Sequence, residues 1–302
     1  MIRVCIVIIL CFRFLIAVEF DTAIGKCNLV FDNGIIPKKV DYISLIQNDV
    51  YKLVNNFGEV NKFPFEVYIT NDIDKFKKLA KGPTPEWGVG IAKKNPSRIV
   101  IKGTQLAKNS LNRLNEILIH ELNHIYLFRT PNYHILPKWF VEGFASYWAD
   151  ELNITKKIQI SSALWEKRQF GLEGLKHFHS FHRVHANLAY AQSNVAINAI
   201  IYFYSEQVLK SIIHNKDKFN NFDELFKFET KDSSLEFTLK YEEFLSQNFK
   251  WIFLLKSSNI LFMSLPIILV IGFIFKRQKN KLLLEKWAEE EKLENDDFEE
   301  NI

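Results

Sequence analysis

The hydrophobic positions between residues 38 and 250 repeat with two periods, first mixed and then helical. Lys38 to Asn56 carries Val40, Ile43, Ile46, Val50, Leu53 and Val54 at helical spacing and stops at Phe57-Gly58. Phe63 to Thr70 alternates, with Phe65, Val67 and Ile69 on one face, which predicts a strand. Asn71 or Asp72 can cap a helix running to about Ala80, and Gly82 to Pro85 reads as a turn. Gly88 to Ala92 and Arg98 to Lys102 read as two strands paired across Lys94 to Ser97. From Ser110 onward the spacing is helical, at 110–128, 138–151, 160–170, 188–210 and 232–249. Strands first and helices afterwards predict an α+β fold, with a small mixed or antiparallel sheet followed by a mainly helical lobe.

The ends follow a different pattern. Residues 1–18 open with Arg3 and then run apolar from Val4 to Phe12 and from Phe14 to Val18, broken only by Arg13. That order suggests a secretory signal or an N-terminal anchor. Ser257 to Phe275 holds 19 residues without a charge, enough for a helix of about 28 Å. Lys276, Arg277, Lys279 and Lys281 follow it, and Trp251 precedes it. These features predict a transmembrane helix at 257–275 with its basic flank in the cytoplasm. The tail, 276–302, carries six Lys/Arg and nine Asp/Glu and reads as a short helix passing into a solvated charge run. The expected organisation is a leader at 1–18, an extracytoplasmic domain at 19–250, a single span at 257–275 and a cytoplasmic tail at 276–302.

Composition narrows the function classes. The chain has 302 residues, 48% of them hydrophobic, which supports a folded core. Its formal charge of +4 is small, and no basic stripe with interleaved aromatics appears, so nucleic acid is not an expected partner. Three cysteines exclude a disulfide framework, and a cleaved leader would leave Cys27 alone.

The chemistry lies at residues 120–124, His-Glu-Leu-Asn-His. On a helix, positions i and i+4 share a face, so His120 and His124 can grip one metal ion. Glu121 beside them can act as general base toward a water that the metal activates. Leu111, Leu114, Leu118, Leu122 and Ile125 make the rest of this helix apolar, which predicts burial. Two buried histidines with a carboxylate between them are costly without an ion.

A zinc site needs a third protein ligand and one open position. Leu127 and Thr130 stand where a three-histidine metzincin pattern would want Gly and His. Downstream, Pro137 marks a helix start, and Glu142 falls one turn in, 18 residues past His124. An antiparallel helix pair joined by Arg129 to Leu136 would return Glu142 to the ion, with Gly143 allowing close packing. Asp150, Glu151 and His134 are rival third ligands.

His120-Glu-Leu-Asn-His124 followed by Pro137-x-Trp-Phe-x-Glu142-Gly-x-Ala resembles the gluzincin metallopeptidases, in particular the peptidase MA-like family of membrane-linked bacterial proteins. The likeness extends to Phe65-Glu-Val-Tyr-Ile, to Trp87-Gly-Val-Gly-Ile-Ala with Arg98-Ile-Val-Ile, to Leu188-Ala-Tyr-Ala-Gln-Ser193 with Ile201-Tyr-Phe-Tyr, and to Phe222 through Phe244. It spans roughly residues 35–250. It implies a zincin-like helical lobe and one Zn2+ held by His120, His124 and Glu142, with Glu121 as base. It also implies an oxyanion donor, for which Tyr190 is the candidate, with His185 and His182 behind it. Members often orient the first histidine with an Asp four residues after the ligand Glu, whereas here that residue is Ser146. The strand at Gly88 to Ala92 can pair with an extended substrate backbone, or its glycines can simply shape a turn. The expected function is a membrane-tethered zinc peptidase acting on peptides or proteins. The alternative is a catalytically weak or inactive zincin-fold binding or scaffold protein at the membrane.

Overall fold

The alternating run at Phe65, Val67 and Ile69 forms the middle of a mixed six-stranded sheet in the computed structural model. The structure describes residues 3–5, 16–32, 41–81, 88–108, 110–176, 183–215, 218–255 and 257–299. The strands are β1 (Arg3–Cys5), β2 (Ile16–Thr22), β3 (Gly25–Phe31), β4 (Phe65–Thr70), β5 (Gly90–Lys93) and β6 (Arg98–Lys102). Their order across the sheet is β1-β2-β3-β4-β6-β5. β4 pairs in parallel with both β3 and β6, and the remaining pairs are antiparallel. Parallel neighbours need crossovers, and helix α1 (Tyr42–Phe57) and helix α2 (Ile73–Ala80) lie in them.

Alternation gives each face of the sheet its own packing. On one face, Phe76 and Ala80 of α2 cover Val100, with Tyr68 and Ile91 beside them. Val67, Ile69, Ile99 and Ile101 are also buried and, by alternation, point to the opposite face. After β6 come a short helix α3 (Thr104–Ala107) and then α4 (Leu111–Leu127), which packs on β5 and β6. Ser110 caps α4 by accepting the Arg113 N–H at 3.2 Å. Leu118, Leu122 and Ile125 are fully buried, each worth about 1.5–3 kcal/mol relative to exposure. Further anchors hold the C-terminal end. The Tyr126 hydroxyl donates to the Gly58 carbonyl at 2.9 Å and lies 2.8 Å from His214 Nε2.

The helical lobe continues with α5 (Lys138–Trp148), α6 (Ile154–Trp165), α7 (Arg183–Tyr204), α8 (Glu206–His214), α9 (Phe222–Thr230) and α10 (Ser234–Phe249). α5 packs on both α4 and α7. Gly143 sits where a Cβ would come within 2.3 Å of the Ser193 carbonyl oxygen, so α5 and α7 approach closely there. At its far end, α5 meets α1, with Phe57 against Phe144 (ring centroids 4.8 Å apart) and Trp148 Nε1 donating to Asp49 Oδ1 at 2.9 Å.

The fold is α+β, but three expectations change. The transmembrane helix expected at 257–275 is not supported, because no helix among the described residues is long and apolar enough to cross a membrane. The expectation counted uncharged residues, and that count includes Ser257, Ser258, Asn259, Ser264 and Pro266. The segment belongs to one helix, α11 (Ser257–Glu299), which contains Pro266 and carries on through the charged tail. It forms a unit separate from Met1–Lys250. Second, the helix expected at 188–210 is two, divided at Ser205 with φ +92°. Third, strands β2 and β3 were not expected. The leader reading of 1–18 falls largely outside the described residues, which hold only Arg3–Cys5 and Ile16–Val18 of it, both in strands. The turn expected at 82–85 and the start of the helix expected from Lys38 are also outside the described residues.

Candidate metal centre

One face of α4 and the first turns of α5 make the site. Helical spacing stacks His120 over His124, ring centroids 4.9 Å apart and edge to face, with their Nε2 atoms 3.2 Å apart. α5 adds Glu142, whose Oε2 lies 3.5 Å from His120 Nε2 and 3.4 Å from His124 Nε2. The donor atoms of these three residues all lie within 4.8 Å of one another. They form a near-equilateral triangle whose sides match the edge of about 3.3 Å expected for a tetrahedron built on zinc bonds of ~2.0–2.1 Å. Direct charge-assisted hydrogen bonds would draw the atoms closer, to about 2.7–2.9 Å. All three residues are buried, at 9%, 8% and 4% exposure. Two imidazoles and a carboxylate are a donor set that suits zinc, and their spacing fits it.

The electrostatics also call for a cation. Burial opposes charge on His120, yet the carboxylates of Glu151, Glu142 and Glu121 together lift its pKa to about 9. For Glu142, burial works against ionisation, but Lys138, His124 and His120 hold it well below the usual carboxylate range. Glu121 goes the other way, since burial raises its pKa against the pull of His124 and His120. Three carboxylates thus surround two imidazoles, a setting that favours positive charge between them.

The neighbouring groups are specific. Lys138, one turn before Glu142, pairs with its other oxygen, Oε1. Tyr190, from α7, sets its ring 6.3 Å from the His120 ring, centroid to centroid. Its phenol is held well above the ordinary tyrosine range by burial, then by Glu142, Glu121 and Glu151. Gly90 of β5 lies against Glu121, where an added Cβ would be 2.7 Å from Oε1. Glu151 approaches from the opposite side of His120, its Oε1 3.7 Å from Nδ1.

A family profile described as the Peptidase MA superfamily matches residues 45–230. The chain belongs to that superfamily. No relative among curated proteins matches it. Among solved structures, this Peptidase MA chain is similar to an M1 zinc metallopeptidase from Deinococcus radiodurans, at 11% identity and a TM-score of 0.44, over 77% of this chain and 51% of that one. A mutant of that enzyme bound to a Tyr-Ser-Ala substrate gives 12% identity and a TM-score of 0.47, over 77% and 51%. The chain spans about half the length of these structures. Membership of the superfamily and the donor set agree on zinc as the cofactor.

Of the residues expected from sequence, His120, Glu121, His124, Glu142 and Tyr190 come together. The rival ligands do not join them: His134 and Asp150 are exposed, and Glu151 faces the wrong nitrogen of His120. His185 is exposed and packs near Phe170, and His182 lies outside the described residues. Lys138 is a further residue of the site, and its four-residue spacing from Glu142 is the signal in the sequence that marks it. The place of Gly90 depends on how β5 lies across α4, which no local pattern in the sequence encodes.

Proposed function

We propose that this chain is a zinc peptidase of the gluzincin type, with His120, His124 and Glu142 as metal ligands and Glu121 as the general base. The observation that carries this is the triangle of donor atoms with Glu121 next to it on the same helix. When bound, zinc supplies a Lewis acid that polarises the scissile carbonyl and makes water nucleophilic near neutral pH. Glu121 takes a proton from the attacking water and returns it to the leaving amine. Burial, which raises its pKa, suits a carboxyl that must carry that proton. The Tyr190 hydroxyl donates to the oxygen on which negative charge develops. Lys138 occupies Oε1 of Glu142, so the carboxylate offers Oε2 to the ion. Among the described residues β5 is the last strand of the sheet, beside Glu121, and its outer backbone edge can accept an extended peptide.

Zinc content and peptide hydrolysis of wild type and Glu121→Gln test this reading. Both proteins should bind zinc, and only wild type should cleave. Hydrolysis that survives the change would remove Glu121 from its role. A location outside the cytoplasm is a separate inference, resting on the Arg3-led apolar run at 1–18 alone. An alkaline phosphatase fused after Lys250 is expected to be active, as it is only outside the cytoplasm, and an inactive fusion would contradict it.

A further inference from the structure

We propose that Glu151 is the residue that positions His120 for metal binding. This rests on His120 being a ligand through Nε2.

A histidine bound to metal through Nε2 carries its proton on Nδ1, and that N–H needs an acceptor to fix the tautomer and the ring angle. His120 Nδ1 is buried and has no hydrogen-bond partner. Glu151 Oε1 lies 3.7 Å away, beyond hydrogen-bond length by less than 1 Å, so a small side-chain rotation closes the bond.

The local backbone is built to bring Glu151 there. Ala149 is the C-cap of α5, and Asp150 turns left-handed at φ +49°. The Asp150 N–H donates to the Tyr147 carbonyl at 3.1 Å, and the Glu151 N–H donates to the Ser146 carbonyl at 3.1 Å. This pair of bonds is a Schellman closure with Asp in the position glycine usually takes. It folds Glu151 back over the last turn of α5, toward α4. Ser146, one turn after Glu142, is neutral and too short to reach His120 as a carboxylate would. It instead donates its hydroxyl to Glu151 Oε2 at 3.3 Å and accepts from Asn194 Nδ2 at 3.2 Å.

Glu151 is 7% exposed and holds its charge between two cations. Arg113 Nη1 lies 3.3 Å from Oε1, and Lys156 Nζ lies 2.8 Å from Oε2. An ionised carboxylate so anchored has few orientations open to it, and one of its oxygens faces the unpartnered His120 nitrogen.

The test is the zinc dissociation constant, measured by chelator competition, for wild type, Glu151→Ala, Glu151→Gln and Lys156→Met. Glu151→Ala should weaken zinc binding about 10- to 100-fold. Glu151→Gln keeps an acceptor without the charge and should fall between wild type and Glu151→Ala. Lys156→Met loosens the same ion-pair cluster but leaves the carboxylate, so its zinc affinity should change by less than about threefold, whatever it does to thermal stability. In proton NMR of the zinc-loaded protein, the His120 Nδ1–H resonance should be slow to exchange in wild type and absent in Glu151→Ala. Wild-type affinity in both Glu151 variants would overturn the inference while leaving the proposed function intact. Equal loss in Lys156→Met and Glu151→Ala would also overturn it, by showing a general structural role. A wild-type chain that binds no zinc would overturn both the inference and the proposed function. If Glu151→Ala does not fold, the isosteric Glu151→Gln and the Lys156→Met control decide the matter.

Discussion

Gly90 faces Glu121 across the β5–α4 interface so closely that a Cβ on Gly90 would lie 2.7 Å from both Glu121 Oε1 and Ile117 Cγ2. The backbone of the edge strand therefore forms one wall of the pocket that holds the base. Gly90→Ala should push Glu121 off its position without touching the three donor residues. The expected outcome is a fall in kcat of about 10- to 100-fold, in line with the loss from misplacing a reacting group, with zinc affinity unchanged. Steady-state kinetics together with zinc titration check it.

Gly143 performs a similar role between helices. A Cβ there would meet the Ser193 carbonyl oxygen at 2.3 Å, and backbone cannot give way as a side-chain tip can. Gly143→Ala should separate α5 from α7 and destabilise the fold by about 1–3 kcal/mol. Because Glu142 and Tyr190 sit on those two helices, zinc affinity and turnover should both drop. Denaturant unfolding gives the first number and zinc titration the second.

Tyr190 reaches the site from a third element, α7, and its proposed contribution arises only in the transition state. Tyr190→Phe keeps the ring that lies against His120 and removes only the hydroxyl. Its kcat should fall about 10²- to 10³-fold while zinc content and KM stay close to wild type. A matched loss of zinc would instead make Tyr190 part of the packing around the ligands.

Asp49 offers a pH test away from the metal. Its carboxyl is buried, accepts one hydrogen bond from Trp148, and leaves Oδ2 without a partner. Burial raises its pKa to about 6, against the smaller pull of the Trp148 hydrogen bond and Lys52. The folded state therefore binds more protons than the unfolded state between about pH 4 and pH 6, and stability falls as pH rises through that window. The total is about 2–3 kcal/mol, reached above pH 6. Asp49→Asn keeps the acceptor for Trp148 and removes the charge. It should be more stable than wild type at pH 7.5 and equal to it near pH 4, as read by urea unfolding at each pH.

Much of the site was legible because helical geometry is local. The i, i+4 spacing alone places His120 with His124, and the length of the connecting loop returns Glu142 to them. What sequence could not show depends on contacts between distant elements. Glu151 stood out only as one acidic residue among rivals. Its actual position follows from a left-handed turn at Asp150, a residue that does not announce that conformation as glycine would. Strand β2 was hard to foresee because it begins inside the apolar run at 1–18, where the pattern is that of a leader; its residues Ile16–Val18 pair with Leu29–Phe31 in the sheet. The uncharged run at 257–275 shows a related weakness. Counting charges does not weigh serine, asparagine and proline, and the expected span is not supported by the helix that forms there.

Anomalous diffraction at the zinc edge, from crystals of the full chain, tests the central claim most directly. One zinc peak is expected, bonded to His120 Nε2, His124 Nε2 and Glu142 Oε2, with Glu121 near the ion but not bound to it. A peak bonded to Glu121 or Glu151 in place of Glu142, or no peak in zinc-supplemented crystals, would contradict it.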